Sequence, residues 1–300
     1  MTWSEDRLHR WLAKELAPSG LAGSVGHDAA VLPARKGRIV TCVDQTIAGV
    51  HYDAGRPATR VARKAVGRSL SDLAATAAKP RAILVAGTFS SEVEERWIRA
   101  LLRTARLVAR EHGAELVGGD LALANGPANL TVTAIGELDR TGRPPGRDRA
   151  RAGQVVVATG AFGGSRLGRH ETPVPRIELG RRFWHAGATA MMDVSDGLAL
   201  DLGRIARASS VCIEVIDVPV HPDAERAARA SGRSPQEHAL TDGEDYELVA
   251  TLPRAALDKL KRDRCWTVIG RVVAGSGLRV AQKDGRLVKW KGRGGWLHGG

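Results

Sequence analysis

Residues 189–209 read TAMMDVSDGLALDLGRIARAS. A short apolar run ends in an acid, a Ser-Asp-Gly turn follows, and Leu198, Leu202 and Ile205 then recur at helical spacing. That is a strand, a tight turn and a helix. The turn carries two carboxylates, Asp193 and Asp196, at the point where a helix N-terminus begins. The same grammar recurs along the chain. VVVATGAFGG is a strand entering a glycine loop, and VCIEVIDV, EDYELVATL and WTVIGRVV are further strands. Towards the N-terminus, residues 5–16 place Leu8, Leu12 and Leu16 on one helical face. A strand through Ile39, Val40 and Val43 is expected to end near Asp44, and a helix runs from Arg60 to Ala78. ILVAGTF is β-like, and a helix over 91–112 opens at Ser91 with Glu92–Arg96 and Glu95–Arg99 pairs. ELVGGD and NLTVTAIGEL close the half as strands. Strands and helices alternate irregularly, so the class is α/β (α+β) with mixed sheets.

The stretch DRTGRPPGRDRARAGQ, 139–154, is nearly devoid of apolar residues and marks the domain boundary. Two domains follow, 1–146 and 147–300. Three hundred residues, 43% of them hydrophobic, suffice for two cores. The net charge of +12 comes from Lys and Arg spread along the chain without a block of like charges. It reads as a solvated basic surface, and no nucleic-acid partner is expected. Cys42, Cys212 and Cys265 are odd in number and widely spaced, which argues against a disulfide framework or a zinc site and for a reducing cytoplasm. The charged N-terminus is not signal-like, and no apolar window reaches membrane-spanning length.

The chemistry lies in acids at strand ends and helix starts: Asp28, Asp44, Asp72, Asp120, Asp193 and Asp196, with Glu244 and Asp245 in DGEDYE. Hard cations take carboxylate oxygens, substrate phosphates and water, and glycines beside such acids let backbone approach a phosphate. Each acid singly is also an ordinary turn, cap or solvated-face residue, so their meaning depends on convergence in space. GAFGG is neither a dinucleotide fingerprint nor a Walker sequence.

In order, the segments GHDAAVL, VDQTIAGVHY, RKAVGRSLSDLAATAAKPRAILVAGTF, ELVGGDLA, PVPRIELG, MMDVSDGLALDL and ALTDGEDYELVATLP resemble the thiamine-monophosphate kinase family, within the ATP-binding superfamily of aminoimidazole-ribonucleotide synthetase. The likeness runs from Gly26 to the C-terminus. It implies a two-domain aminoimidazole-ribonucleotide-synthetase-like fold, with ATP between the domains and the N-terminal sheets of two chains meeting in a homodimer. It implies direct in-line transfer of the ATP γ-phosphoryl group to thiamine monophosphate, with Mg²⁺. Carried over by position, Asp28, Asp44, Asp72, Asp120, Asp193 and Asp196 match metal-binding acids. Gly119, Asp120, Arg147 and Ser195 match ATP contacts, and His51, Glu244 and Trp296 match acceptor contacts. Turnover is expected to depend most on Asp120 and Asp196.

The chain departs from the family at His27, where a second acid is usual, and at Cys42–Val43, where a hydroxyl residue precedes the acid. Gln154 stands for an Asp after Gly153, and Asp242–Gly243 for a double glycine. The competing readings are a same-superfamily enzyme with another acceptor and a nucleotide-binding, non-catalytic paralogue.

Overall fold

The structure is a computed structural model that describes residues 4–15, 32, 37–139, 141–260 and 265–291. Asp28, His27 and Trp296 lie outside the described residues. The elements in chain order are α1 (Glu5–Glu15), β1 (Ile39–Ile47), α2 (Ala58–Ala75), β2 (Lys79–Phe89), α3 (Glu95–Glu111), β3 (Glu115–Leu123) and β4 (Asn129–Glu137). There follow β5 (Gln154–Thr159), α4 (Ile177–Ala186), β6 (Ala190–Asp193), α5 (Leu198–Ala208), β7 (Cys212–Val215), α6 (Pro222–Ser231), α7 (Pro235–Thr241), β8 (Leu248–Pro253), β9 (Trp266–Val273), β10 (Gly277–Ala281) and β11 (Leu287–Lys289). They divide into two compact units, the first holding residues up to Leu73, Lys79–Thr141 and Glu171–Pro173, the second the remainder.

The first unit is a four-stranded sheet of order β1-β4-β2-β3, with β2 and β3 parallel and the other pairs antiparallel. Along β4, residues alternate strictly between buried and half-buried, the signature of a sheet covered on one face. The helix-facing residues include Val85, Val132 and Ala134, and α3 buries Ile98, Leu101, Leu102, Ala105 and Val108. The other face is open: Ile39 is 76% and Val43 62% exposed.

The second unit is a seven-stranded mixed sheet of order β11-β10-β7-β9-β5-β8-β6. Strands β5, β6 and β7 are buried along their whole length. Leu198, Leu202 and Ile205 of α5 pack into the core with Val156, Ile213 and Val249. That is the face the 3.6-residue period marked.

Several local expectations change. β1 runs three residues past Asp44, because Gln45, Thr46 and Ile47 continue the ladder with β4. On a strand with one open face, polar side chains do not signal an end. Helix α3 starts at Glu95, with Glu94 at its N-cap and no side-chain cap, so Ser91 does not open it. Arg99 pairs with Glu95 at 2.6 Å, whereas Arg96 pairs with Glu94 rather than Glu92. Helix α2 spans Ala58–Ala75 and stops before Ala77, whose φ of 58° is left-handed. In EDYELVATL the strand begins only at Leu248, and the acids before it form a loop.

Candidate functional site

In the first unit, Asp44 sits on β1 facing α2. Neighbouring Cys42 Sγ contacts the Ser69 carbonyl at 3.1 Å, and Arg68 Nη2 lies 3.8 Å from Asp44 Oδ1. The Cys42 departure therefore turns toward a helix carbonyl, and Val43 faces the open side. Asp72 is one helical turn from Arg68 on the same side of α2. The Oδ2 atom of Asp44 is buried and has no hydrogen-bond partner among the described residues. A buried, unpartnered carboxylate oxygen is costly, and a hard cation is one natural partner for it.

Register separates Asp44 from Asp120. Asp44 pairs with Val132, Val132 with Val85 and Val85 with Gly119, so Asp44 and Gly119 share a row at opposite sheet edges. Three strand spacings put them ~14 Å apart across the sheet. Asp120 is one residue further on and pairs with Ala86, so it points to the open face while Asp44 points to α2. This sheet alone does not bring the two acids to a shared cation.

In the second unit the sequence-predicted residues are drawn together more closely. Asp193 ends β6 and is 5% exposed. Ser195 and Asp196 form the turn into α5, where Gly197 takes a φ of 117°. The Glu244 amide donates to the Ser195 carbonyl at 2.7 Å, and the Tyr246 amide to the Val194 carbonyl at 2.9 Å. DVSDG and GEDYE are thus stitched side by side. Gly243 permits the approach: its φ is 72°, and a Cβ there would lie 2.8 Å from the Ser195 carbonyl oxygen. Glu244 and Tyr246 themselves carry φ of 53° and 54°, sparsely populated values for such residues and typical of strained functional loops.

Two features escaped the sequence reading. Arg204 of α5 bonds the Asp196 carboxylate and Asp201 Oδ1, the latter at 2.6 Å, and the Asp196 amide donates to Asp201 Oδ2 at 3.0 Å. The signal was present: Arg204 is three residues after Asp201 and two turns after Asp196. The second is the partnership of Asp245, an acid already singled out in DGEDYE, with the glycine loop. Asp245 Oδ1 accepts from the Gly163 amide and from Arg169, each at 3.0 Å. Asp242 likewise accepts from the Gly164 amide at 2.8 Å and pairs with His238. The amides of the glycine loop are therefore taken by carboxylates, which explains why GAFGG is a packed turn rather than a phosphate cradle.

Arg147 is exposed, and its carbonyl accepts from Ser209 Oγ at 2.8 Å at the C-terminal end of α5. The eleven residues of α5 put that point about 16 Å from the Ser195 turn. Gln154, the departure from Gly-Asp, is buried. Its Oε1 accepts from the Arg151 amide and Thr189 Oγ1, both at 2.9 Å, the task a carboxylate would perform without its charge.

His51 ends a turn after β1 in which Ile47 N donates to its Nδ1 at 3.0 Å. Beside it opens a cavity of about 450 Å³, lined by Ala48, Gly49, Tyr52, Val93, Trp97 and Pro127 among others. Burial pushes the Tyr52 phenol up to about 12, so it remains a neutral donor. Among the described residues, no group of three or more His, Cys, Asp or Glu side chains could hold a metal by itself. No helix there is long and apolar enough to cross a membrane.

Burial pushes the Asp245 carboxyl from 3.8 up to about 7, against the opposing pull of Arg169 and the Gly163 amide. The native state then holds a proton that the unfolded chain has lost between about pH 4 and 7, so stability falls as pH rises through that window. Asp201, also raised to about 7 by burial, acts in the same sense. Asp245→Asn should gain on the wild type by on the order of 2–4 kcal/mol between pH 4 and pH 8. Denaturant melts at both pH values measure it; a difference independent of pH would refute the assignment.

The two-domain architecture and the paired acid turns define a protein of the AIR synthase related class. The model of the AIR synthase related protein N-terminal domain matches residues 26–138, and that of the C-terminal domain matches 119–283. A thiamine-monophosphate kinase of Rhodopirellula baltica is 35% identical, over 86% of this chain and 82% of its own. The crystal structure of the Stenotrophomonas maltophilia thiamine-monophosphate kinase superposes with a TM-score of 0.79 at 32% identity, covering 96% and 99% of the two chains. AaThiL complexed with AMPPCP and TMP superposes with a TM-score of 0.79 at 27% identity, covering 98% and 96%. The chain belongs to the thiamine-monophosphate kinase family.

Proposed function

We propose that this protein transfers the γ-phosphoryl group of ATP to the phosphate of thiamine monophosphate, in line and without a phospho-enzyme, giving thiamine diphosphate. The observation that carries the reading is the 2.7 Å bond between Glu244 N and Ser195 O. It joins the loop of Glu244, proposed as an acceptor contact, to that of Ser195, proposed as an ATP contact, and so supports the reading. Family membership and the AaThiL complex with AMPPCP and TMP support the choice of substrates.

The chemistry asks for positioning and charge compensation. Two phosphate charges at ~4 Å repel by several kcal/mol at an intermediate dielectric. The acceptor phosphate is already an anionic nucleophile, so no general base is needed, which accounts for a site built from acids. Mg²⁺, when bound, would supply charge compensation and alignment. Asp44 of the first unit, which offers an unpartnered buried oxygen, and Asp193 of the second, at the end of β6, are each proposed as ligands for such an ion within their own unit. Asp28, Asp72, Asp120 and Asp196 complete the proposed set, with Arg204 as the present counter-ion of Asp196. Gly119, Arg147 and Ser195 are the further proposed ATP contacts, and Trp296 joins His51 and Glu244 on the acceptor. The apolar cavity beside His51 has the size of a small-ligand site and would seat the acceptor's rings.

The proposed assembly is a cytoplasmic homodimer, each chain divided into domains 1–146 and 147–300. The open sheet face, with Ile39 and Val43 exposed, is the surface a second copy would cover.

Purified protein with ATP, thiamine monophosphate and Mg²⁺ should yield thiamine diphosphate and ADP in equal amounts, followed by chromatography of the thiamine species. No thiamine diphosphate at millimolar ATP would overturn the proposal.

A further inference from the structure

Lys64 lies in the middle of α2 with 1% of its surface exposed, among the largest fully buried side chains. Nothing in phosphoryl transfer as described uses it. Burying a lysine is expensive unless its amine is held. Its Nζ donates to the His51 carbonyl at 2.6 Å. The segment it grips is bonded at almost every step. His51 N donates to Ile47 O at 2.9 Å, Gly49 N to Tyr52 O at 2.8 Å and Ala48 N to Ala128 O at 2.9 Å. The His51 ring closes the turn by accepting from Ile47 N, which assigns its ring hydrogen to Nε2. The imidazole is thereby a neutral donor whose backbone is tied at one end to β1 and at the other to α2.

We propose that Lys64 is a positioning residue for the phosphate acceptor: by holding the His51 carbonyl it fixes the turn from which the imidazole Nε2–H meets the acceptor's anionic group. This rests on the reading of His51 as an acceptor contact, and the test separates the two. Steady-state constants are measured for Lys64→Met, Lys64→Arg, His51→Ala and the double variant Lys64→Met/His51→Ala. Lys64→Met, which keeps the volume, should raise KM for thiamine monophosphate about 10-fold, the worth of one such hydrogen bond. KM for ATP and kcat should stay within about twofold, because the bond acts on the acceptor side alone. Lys64→Arg should recover part of the loss. The double variant should be no worse than His51→Ala, since two residues acting through one contact are not additive.

Additive effects, or an equal rise in KM for ATP, would overturn the positioning role while leaving His51 as an acceptor contact. An unchanged KM for thiamine monophosphate in His51→Ala would overturn the acceptor reading itself. Should Lys64→Met fail to fold, Lys64→Gln carries the same comparison.

Discussion

Asp44→Asn should lower turnover by about 10³-fold, the scale seen when one preorganised charge partner of a reacting group is removed. It should leave the fold intact. Asparagine has the same shape. The bond it forgoes is the 3.8 Å pair with Arg68, at the outer limit of an ion pair and too long for a hydrogen bond. The Oδ2 atom has no hydrogen-bond partner to lose. The prediction therefore sets a large functional effect against a negligible structural one. An ordinary strand residue would produce neither effect. Calorimetric titration with Mg²⁺ in the presence of a non-hydrolysable ATP analogue should show binding weakened in parallel. Activity within about fivefold of wild type would remove Asp44 from the proposed metal set.

Gly119→Ala should have the opposite profile, a structural failure that carries function with it. A Cβ at Gly119 would lie 1.8 Å from the Val85 carbonyl oxygen and 2.7 Å from its carbon. Both atoms are backbone of the neighbouring parallel strand, so no rotamer change relieves the clash and the β2–β3 ladder must open. The expected cost is about 3 kcal/mol or more, with loss of ATP binding as Asp120 moves with its strand. The adjacent Gly118→Ala is the control: its Cβ would meet nothing closer than Leu84 Cδ2 at 3.7 Å, ordinary contact. Comparing the two melting temperatures decides the matter. Equal shifts would mean that the close approach at Gly119 is not what keeps that position small.

The contrast between these glycines shows where reading a sequence runs out. GGD looks like one motif, yet one glycine is a steric necessity and its neighbour is not, because only Gly119 lies against the Val85 carbonyl. The same holds for acids that look equivalent in a string. Asp44 and Asp120 both end apolar runs, but the pairing register sends one toward α2 and the other to the open face. Asp196 and Asp193 are three residues apart, yet one is bonded to Arg204 and the other closes a buried strand. Arg147 matched a family position, yet its backbone sits at the far end of α5.

What the sequence alone determined is what short-range periodicity encodes: the strand–turn–helix at Asp193–Ile205, the helix-period core faces, the polar break at 139–154 and the ordered set of acids. These depend on residues near one another in the chain, where a 2.0 or 3.6 repeat suffices to say which side is buried. The tertiary structure decided everything that depends on partners distant in sequence. Strand order set the spacing of the acids, and the bond between Ser195 and Glu244 joined two loops. Lys64 gained its partner because α2 packs against the turn after β1. Hydrogen bonds and ion pairs at long sequence separation are chosen by the packing of the whole sheet, which no local pattern specifies.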